Sequence, residues 1–352
     1  MLPFAVMTPP VLAQSVTWRN LATFYGDNTE FFTPFRVGET ILGAQVQSFF
    51  DIGLSERTAV RAGVFGDQRF GSDEFFDPVK PIISFRYQTA ATLAVLGTLE
   101  TENRHGYLEP LEVTTLEFTR SIEYGGQLVQ RHRSWDLDVF LDWQGLNTPK
   151  SREIFNYGMV FRGRPVSALT LEVQMHGLHH GGQLFNAGVP VSNNKVSAIG
   201  ARLSHRLPLL GNSSVAGFYV SSKGFIDPTL PASLPDRGHG VYLRASAEPA
   251  GYLEVFSIYW AGRDFHTDEG DPNYNSLGSD DTFYRSRRRY FELGAIRRTR
   301  VDGRVWLDAE FRFHRVDDEK SQALFDSKWE YSYRIVIRAP FDFAIRRPQP
   351  TD

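Results

Sequence analysis

The segment His176-Gly177-Leu178-His179-His180-Gly181-Gly182 holds the densest group of metal-ligand and proton-accepting side chains in the chain. Histidines at i, i+3 and i+4 share a divalent ion only if the backbone turns helically, and the flanking glycines and the preceding strand pattern point instead to a polar loop. As a general base, one of them would need a nucleophile, but no Gly-x-Ser-x-Gly elbow or matched serine is visible. A second group, Asp264, Asp268, Glu269, Asp271, Asn273, Asn275, Asp280 and Asp281, supplies hard oxygen ligands. It lacks the register of a calcium loop, so it reads as a solvated acidic loop. Arg285, Arg287, Arg288 and Arg289 follow, with Arg297, Arg298 and Arg300 further on. Such arginines either grip phosphates by bidentate contacts or neutralise the neighbouring acids. These observations predict no bond-breaking chemistry, no enzyme, no bound metal and no cofactor.

The elements that must carry these residues are strands. Residues 135–144 place Trp135, Leu137, Val139, Leu141 and Trp143 on one face and Asp136, Asp138, Asp142 and Gln144 on the other. Three aspartates on one face of a dry core would each cost several kcal/mol, so that face is expected to see water. The two tryptophans are separated by roughly 19 Å along a membrane normal, near the height of a bilayer's aromatic girdles. Residues 329–343 repeat the scheme, with Trp329, Tyr331, Tyr333, Ile335, Ile337, Phe341 and Phe343 opposite Glu330, Ser332, Arg334, Arg338 and Asp342. In this phasing Trp135, Trp143, Trp329, Tyr331 and Phe343 form a lipid-facing girdle. Asp136, Asp138, Asp142, Arg61, Arg86, Arg162, Arg202, Glu172, Arg244, Glu310, Arg312 and Arg334 line a lumen, where both signs of charge either set up a transverse field or close into ion pairs.

Composition sets the bounds. The chain has 352 residues, 41% of them hydrophobic, yet no run approaches the about 18 apolar residues of a spanning helix. The net charge of −3 provides no basic field for nucleic acid. The chain has no cysteine, which excludes disulfides and thiolate metal sites. Residues 1–13 are apolar and uncharged and end in Val11-Leu12-Ala13, as the remnant of a secretory signal peptide would. Short turns such as 162–165, 248–251 and 301–303 alternate with longer connections at 26–38, 69–80, 178–194, 222–238, 262–286 and 315–327. Taking 16–25 as a first strand, dividing 81–99 at Thr89 and adding 112–122 gives about sixteen strands, or about fourteen if doubtful pieces merge. Residues 100–134 are the least regular and have the length to fold into the interior.

On these grounds the chain resembles the bacterial outer-membrane β-barrel proteins of the porin and alginate-export-like group. The resemblance covers residues 16–343 and rests on the leader, the alternating strands, the unequal loops and the terminal Phe341-Asp342-Phe343. It implies an all-β fold, a single transmembrane antiparallel barrel with short periplasmic turns and long extracellular loops, and 344–352 as a periplasmic tail. The function expected from it is an outer-membrane channel for passive passage of small hydrophilic solutes. The alternatives are an export channel for a polysaccharide or other polymer, a scaffold barrel around a partner protein, and, last, a barrel-borne surface hydrolase. The expected partners are outer-membrane lipid and lipopolysaccharide, the solute or polysaccharide, and a second copy or a periplasmic protein, with no nucleic acid.

Overall fold

The computed structural model describes residues 15–182, 184–185, 191–225, 234–279, 283–317 and 328–346. The first eight strands are β1 (Ser15–Phe32), β2 (Val37–Gly53), β3 (Thr58–Arg69), β4 (Val79–Gln88), β5 (Thr92–Thr98), β6 (Tyr124–Arg131), β7 (Trp135–Gly145) and β8 (Glu153–Val166). The rest are β9 (Leu169–Gly181), β10 (Ser192–Leu207), β11 (Gly211–Phe225), β12 (Arg237–Ala250), β13 (Leu253–Arg263), β14 (Arg287–Asp302), β15 (Val305–Val316) and β16 (Glu330–Arg346). Each strand pairs with its chain neighbours, and β1 pairs antiparallel with β16, closing a barrel of sixteen strands. Closure pairs every edge, which a backbone in hydrocarbon requires. Alternate residues such as Val139, Leu141, Ile335, Ile337, Phe341 and Phe343 stay exposed on the outside. A continuous apolar surface of this kind is stable only against acyl chains.

Several boundaries differ from those read in the sequence. Residues 26–38 are not a loop: β1 runs to Phe32 and β2 begins at Val37. The strand between 100 and 134 is Tyr124–Arg131, whereas 112–122 contains only a helical turn at Leu116–Thr119. β9 continues through Gly181, so His176, His179 and His180 lie in a strand and not in a loop. β16 reaches Arg346, three residues past the assigned end of the barrel. Residues 1–13, which carry the leader assignment, lie outside the described residues, as do 347–352.

Two connections on the outer side turn inward. β5 and β6 are only 7 and 8 residues long, and their last pair, Thr98 with Tyr124, sends residues 99–123 across the lumen. Residues 264–279 and 283–286 enter from the opposite wall, with Phe265, Asn273 and Tyr274 fully buried. The two segments join through Val113 N–H to Glu269 O at 2.8 Å and Asp271 N–H to Glu109 O at 2.8 Å. At Gly270 the backbones approach so closely that any Cβ would collide with Pro110 O. Glu269, Asp271, Asn273 and Asn275 of the acidic stretch are therefore interior packing, whereas Asp268 is exposed and Asp280 and Asp281 lie outside the described residues. Arg36 holds Asp271 at 2.5 Å, Arg120 holds Glu269, and His266 holds Asp268 at 2.8 Å.

Candidate functional site

Most of the charged residues assigned to the lumen from the sequence form ion pairs with the inward segments or the neighbouring wall. Arg61 reaches Glu100 at 2.5 Å, and Arg86 joins the same carboxylate. Arg162 reaches Glu172 at 3.2 Å and Gly106 O at 2.7 Å. Arg244 reaches Glu254 at 2.6 Å, and Arg334 bonds Asp27 at 2.5 Å and Thr114 at 2.9 Å. Arg312 pairs with Glu310 and meets Glu109 of the first inward segment at 2.6 Å. Arg202 is half-buried, with no ion pair among the described residues. Asp136 pairs with Arg164 near the inner rim. Asp142 does not face water as expected: 2% exposed, it accepts Tyr124 N–H at 2.8 Å, while Asp138, partly exposed, is held by His105 at 2.9 Å and by Gln127. Sequence reasoning missed His105 because it comes from the irregular segment. Burial works against a charge on this ring, but its hydrogen bonds to Asp138 and Glu123 push it up to about 9.

The girdle residues pack among aromatic neighbours. Trp135 stacks on His132 at 4.2 Å, Trp143 on Phe155 at 5.3 Å and Tyr331 on Phe311 at 6.2 Å. Phe343 lies 5.4 Å from Trp18, and Trp329, immediately before β16, lies 6.0 Å from Phe291. The pleat parts His179 from His176 and His180. His176 faces Glu269 inside at 3.3 Å, while His179 faces out toward Asn193 at 2.7 Å. The helical turn that a shared ion would need is not present, and among the described residues no three His, Asp or Glu side chains are grouped so that they could hold a metal ion.

A different histidine has the partners of a base. Glu292 on β14 stands directly opposite His314 on β15, and Ser332 on β16 sits diagonally beyond it. Ser332 Oγ lies 2.8 Å from His314 Nε2. His314 Nδ1 lies 2.6 Å from Tyr290 Oη, whose hydroxyl donates to Glu292 at 2.6 Å. A tyrosine has one proton to give, so with that proton on Glu292 the Tyr290 oxygen can only accept from Nδ1–H. This fixes the tautomer and leaves the Nε2 lone pair aimed at Ser332. Serine, histidine and, through Tyr290, glutamate therefore follow one another across three adjacent strands, the order a nucleophile, its base and an orienting acid would need. His314 is 2% and Ser332 9% exposed, and the Phe31 ring covers the imidazole at 4.8 Å. Ser332 pairs with Thr29, close to the outer end of β1, which sets the group at outer-leaflet height. The sequence had placed His314 and Ser332 on polar faces, but only the cross-strand register shows that they meet.

Residues 13–348 match the family model described as lipid A 3'-O-deacylase-type. The chain belongs to the lipid A 3'-O-deacylase-type family. This corrects the expectation of a protein without bond chemistry, because the family is named for an ester-cleaving activity. No curated protein matches the chain. Among solved structures, a loop L8 deletion mutant of OmpT, an outer membrane protein of Vibrio cholerae, superposes with a TM-score of 0.55 at 8% identity, over 93% of this chain and 99% of that one. The anion-selective porin from Comamonas acidovorans gives 0.52 at 12%, over 93% and 99%. Pseudomonas aeruginosa OprD gives 0.50 at 12%, over 96% and 100%. These likenesses establish the fold. This family member is a bacterial outer-membrane barrel with porin-like architecture.

Proposed function

We propose that the protein is an outer-membrane esterase that removes an ester-linked acyl chain from lipid A, with Ser332 as nucleophile, His314 as base and Glu292, acting through Tyr290, as the orienting acid. The observation that carries this reading is the 2.8 Å approach of Ser332 Oγ to His314 Nε2 with Nδ1 held by the Tyr290–Glu292 pair. In the first step Ser332 Oγ attacks the ester carbonyl while its proton passes to Nε2. The tetrahedral intermediate then collapses, the sugar oxygen leaves with that proton, and the acyl group remains on Ser332. A water deprotonated by the same Nε2 releases the fatty acid and restores the serine. Height in the barrel supports a lipid substrate, and entry requires the turn 33–36 to carry Phe31 off His314. In cells making the protein, mass spectrometry of lipid A should show loss of one acyl chain. Ser332→Ala and His314→Gln should each abolish that loss while the barrel still folds. Unchanged deacylation in Ser332→Ala would overturn the assignment.

A second reading, solute passage, is favoured by a cavity of about 880 Å³ between the inward segment and the walls of β1–β4 and β14–β16, lined by Arg61, Glu100, Arg298, Asp308 and Arg338 among others. Against it stand the two segments that cross the lumen.

A further inference from the structure

The outward face of the barrel at its outer rim carries cations in a register that the fold itself disfavours. Lys195 on β10 lies directly opposite Lys223 on β11, and Lys223 directly opposite Arg237 on β12. One row further along, Arg263 on β13 lies opposite Arg287 on β14, with Arg289 two residues on. All six side chains are exposed, and their parity is that of the lipid-facing Ile199, Tyr219, Val241, Tyr259 and Leu293. Like charges directly opposite on neighbouring strands repel and destabilise the sheet. Lys195, Lys223, Arg237, Arg287 and Arg289 have no carboxylate partner among the described residues, and Arg263 reaches only Asp264, at 3.4 Å. The arginines inside the barrel, such as Arg61, Arg86, Arg162 and Arg244, are by contrast each matched by a glutamate.

We propose that this face of β10–β14 is a docking surface for the phosphate groups of an outer-leaflet glycolipid. The charge is complementary, because a row of phosphates bridging adjacent cations turns each repulsive pair into two charge-assisted contacts. The position also fits. The cations sit at the outer ends of the strands, where a headgroup lies, and exposed aliphatic and aromatic side chains continue inward along the same faces, where acyl chains lie. Arg287 and Arg289 share β14 with Tyr290 and Glu292, so a lipid held here stands on the outer side of the wall that carries the Ser332–His314 pair. The surface is independent of the hydrolase reading, since holding a lipid requires no turnover.

The test measures retention of bisphosphorylated lipid A by the purified barrel in detergent, read by native mass spectrometry. It compares wild type with a variant carrying Lys195→Gln, Lys223→Gln, Arg237→Gln, Arg263→Gln, Arg287→Gln and Arg289→Gln. Wild type should retain the lipid about tenfold more than the variant, and lipid A stripped of both phosphates should be retained by neither. Equal retention by the two proteins, or retention of the dephosphorylated lipid by wild type, would overturn the proposal. Complete displacement of the lipid by inorganic phosphate would also overturn it, because the surface would then recognise an ion and not a lipid. In lipid-free detergent the variant should melt no lower than wild type, since the substitutions remove like-charge pairs. Lower melting there would mark these side chains as structural and refute the docking role.

Discussion

Tyr290 is the residue on which the assigned chemistry turns, because its oxygen decides which imidazole nitrogen carries the proton. Tyr290→Phe leaves His314 Nδ1 facing Glu292 across 3.7 Å and frees the ring to take either tautomer. Deacylation rate should fall about tenfold to a hundredfold with little change in KM, and the pH profile of the rate should shift. A merely structural tyrosine would lower melting without moving that profile, so rate, profile and melting together decide its role. At this scale the sequence was legible in one respect. Alternation put Ser332, Arg334, Arg338, Arg312 and His314 on the inner ribbon, since parity is a local property of a strand. Contact between His314 and Ser332 depends on the stagger between β15 and β16, and no single strand encodes that. The histidine cluster of β9 shows the opposite failure, because the flanking glycines suggested a polar loop where the strand in fact continues, and its pleat sends His176 inward and His179 outward.

At the scale of elements, the segment 99–123 is fastened by His105, whose two ring nitrogens bond Glu123 and Asp138 at 2.9 Å each, while Arg104 pairs with Glu123 and Glu112. Burial opposes the charge, but these hydrogen bonds push the folded ring up to about 9 from the 6.5 of the free side chain. A raised pKa means that the fastening is complete below about 6.5 and is lost as pH climbs through about 9. Backbone hydrogen exchange of residues 104–112, corrected for intrinsic rates, should therefore accelerate between those values in wild type. His105→Gln should remove the dependence, and a flat wild-type profile would sink the idea. This segment was hidden from the sequence because it alternates with neither period: its order comes from the wall it touches. The interior place of 264–279 was hidden for a related reason. Its carboxylates resemble a solvated loop until the arginines that meet them, Arg36 and Arg120, arrive from elsewhere in the chain.

For the whole molecule, sixteen strands give a bore wide enough for water, and two segments lie across it. Planar-bilayer recordings of the intact protein should show no steady large conductance. Excision of residues 101–121, joined by a short Gly-Ser link, should produce discrete channel steps. A large steady current through the intact chain would instead favour solute passage. The barrel was legible because lipid outside and a polar interior impose one alternation on almost every strand. The error at 26–38, where charge and Pro34 mimic a loop, arose because β1 at its outer end meets Arg334 and Glu330 of β16 through Asp27 and Phe32 N–H, and not solvent. The brevity of β5 also reaches beyond the protein. Its 7 residues span roughly 16 Å along the membrane normal at a tilt near 45°, against an apolar band of about 25 Å. Hydrophobic mismatch on that flank, with β1 at 18 residues elsewhere on the circumference, should thin the bilayer locally and tip the barrel axis, so that lipids beside β5 are looser than those beside β1.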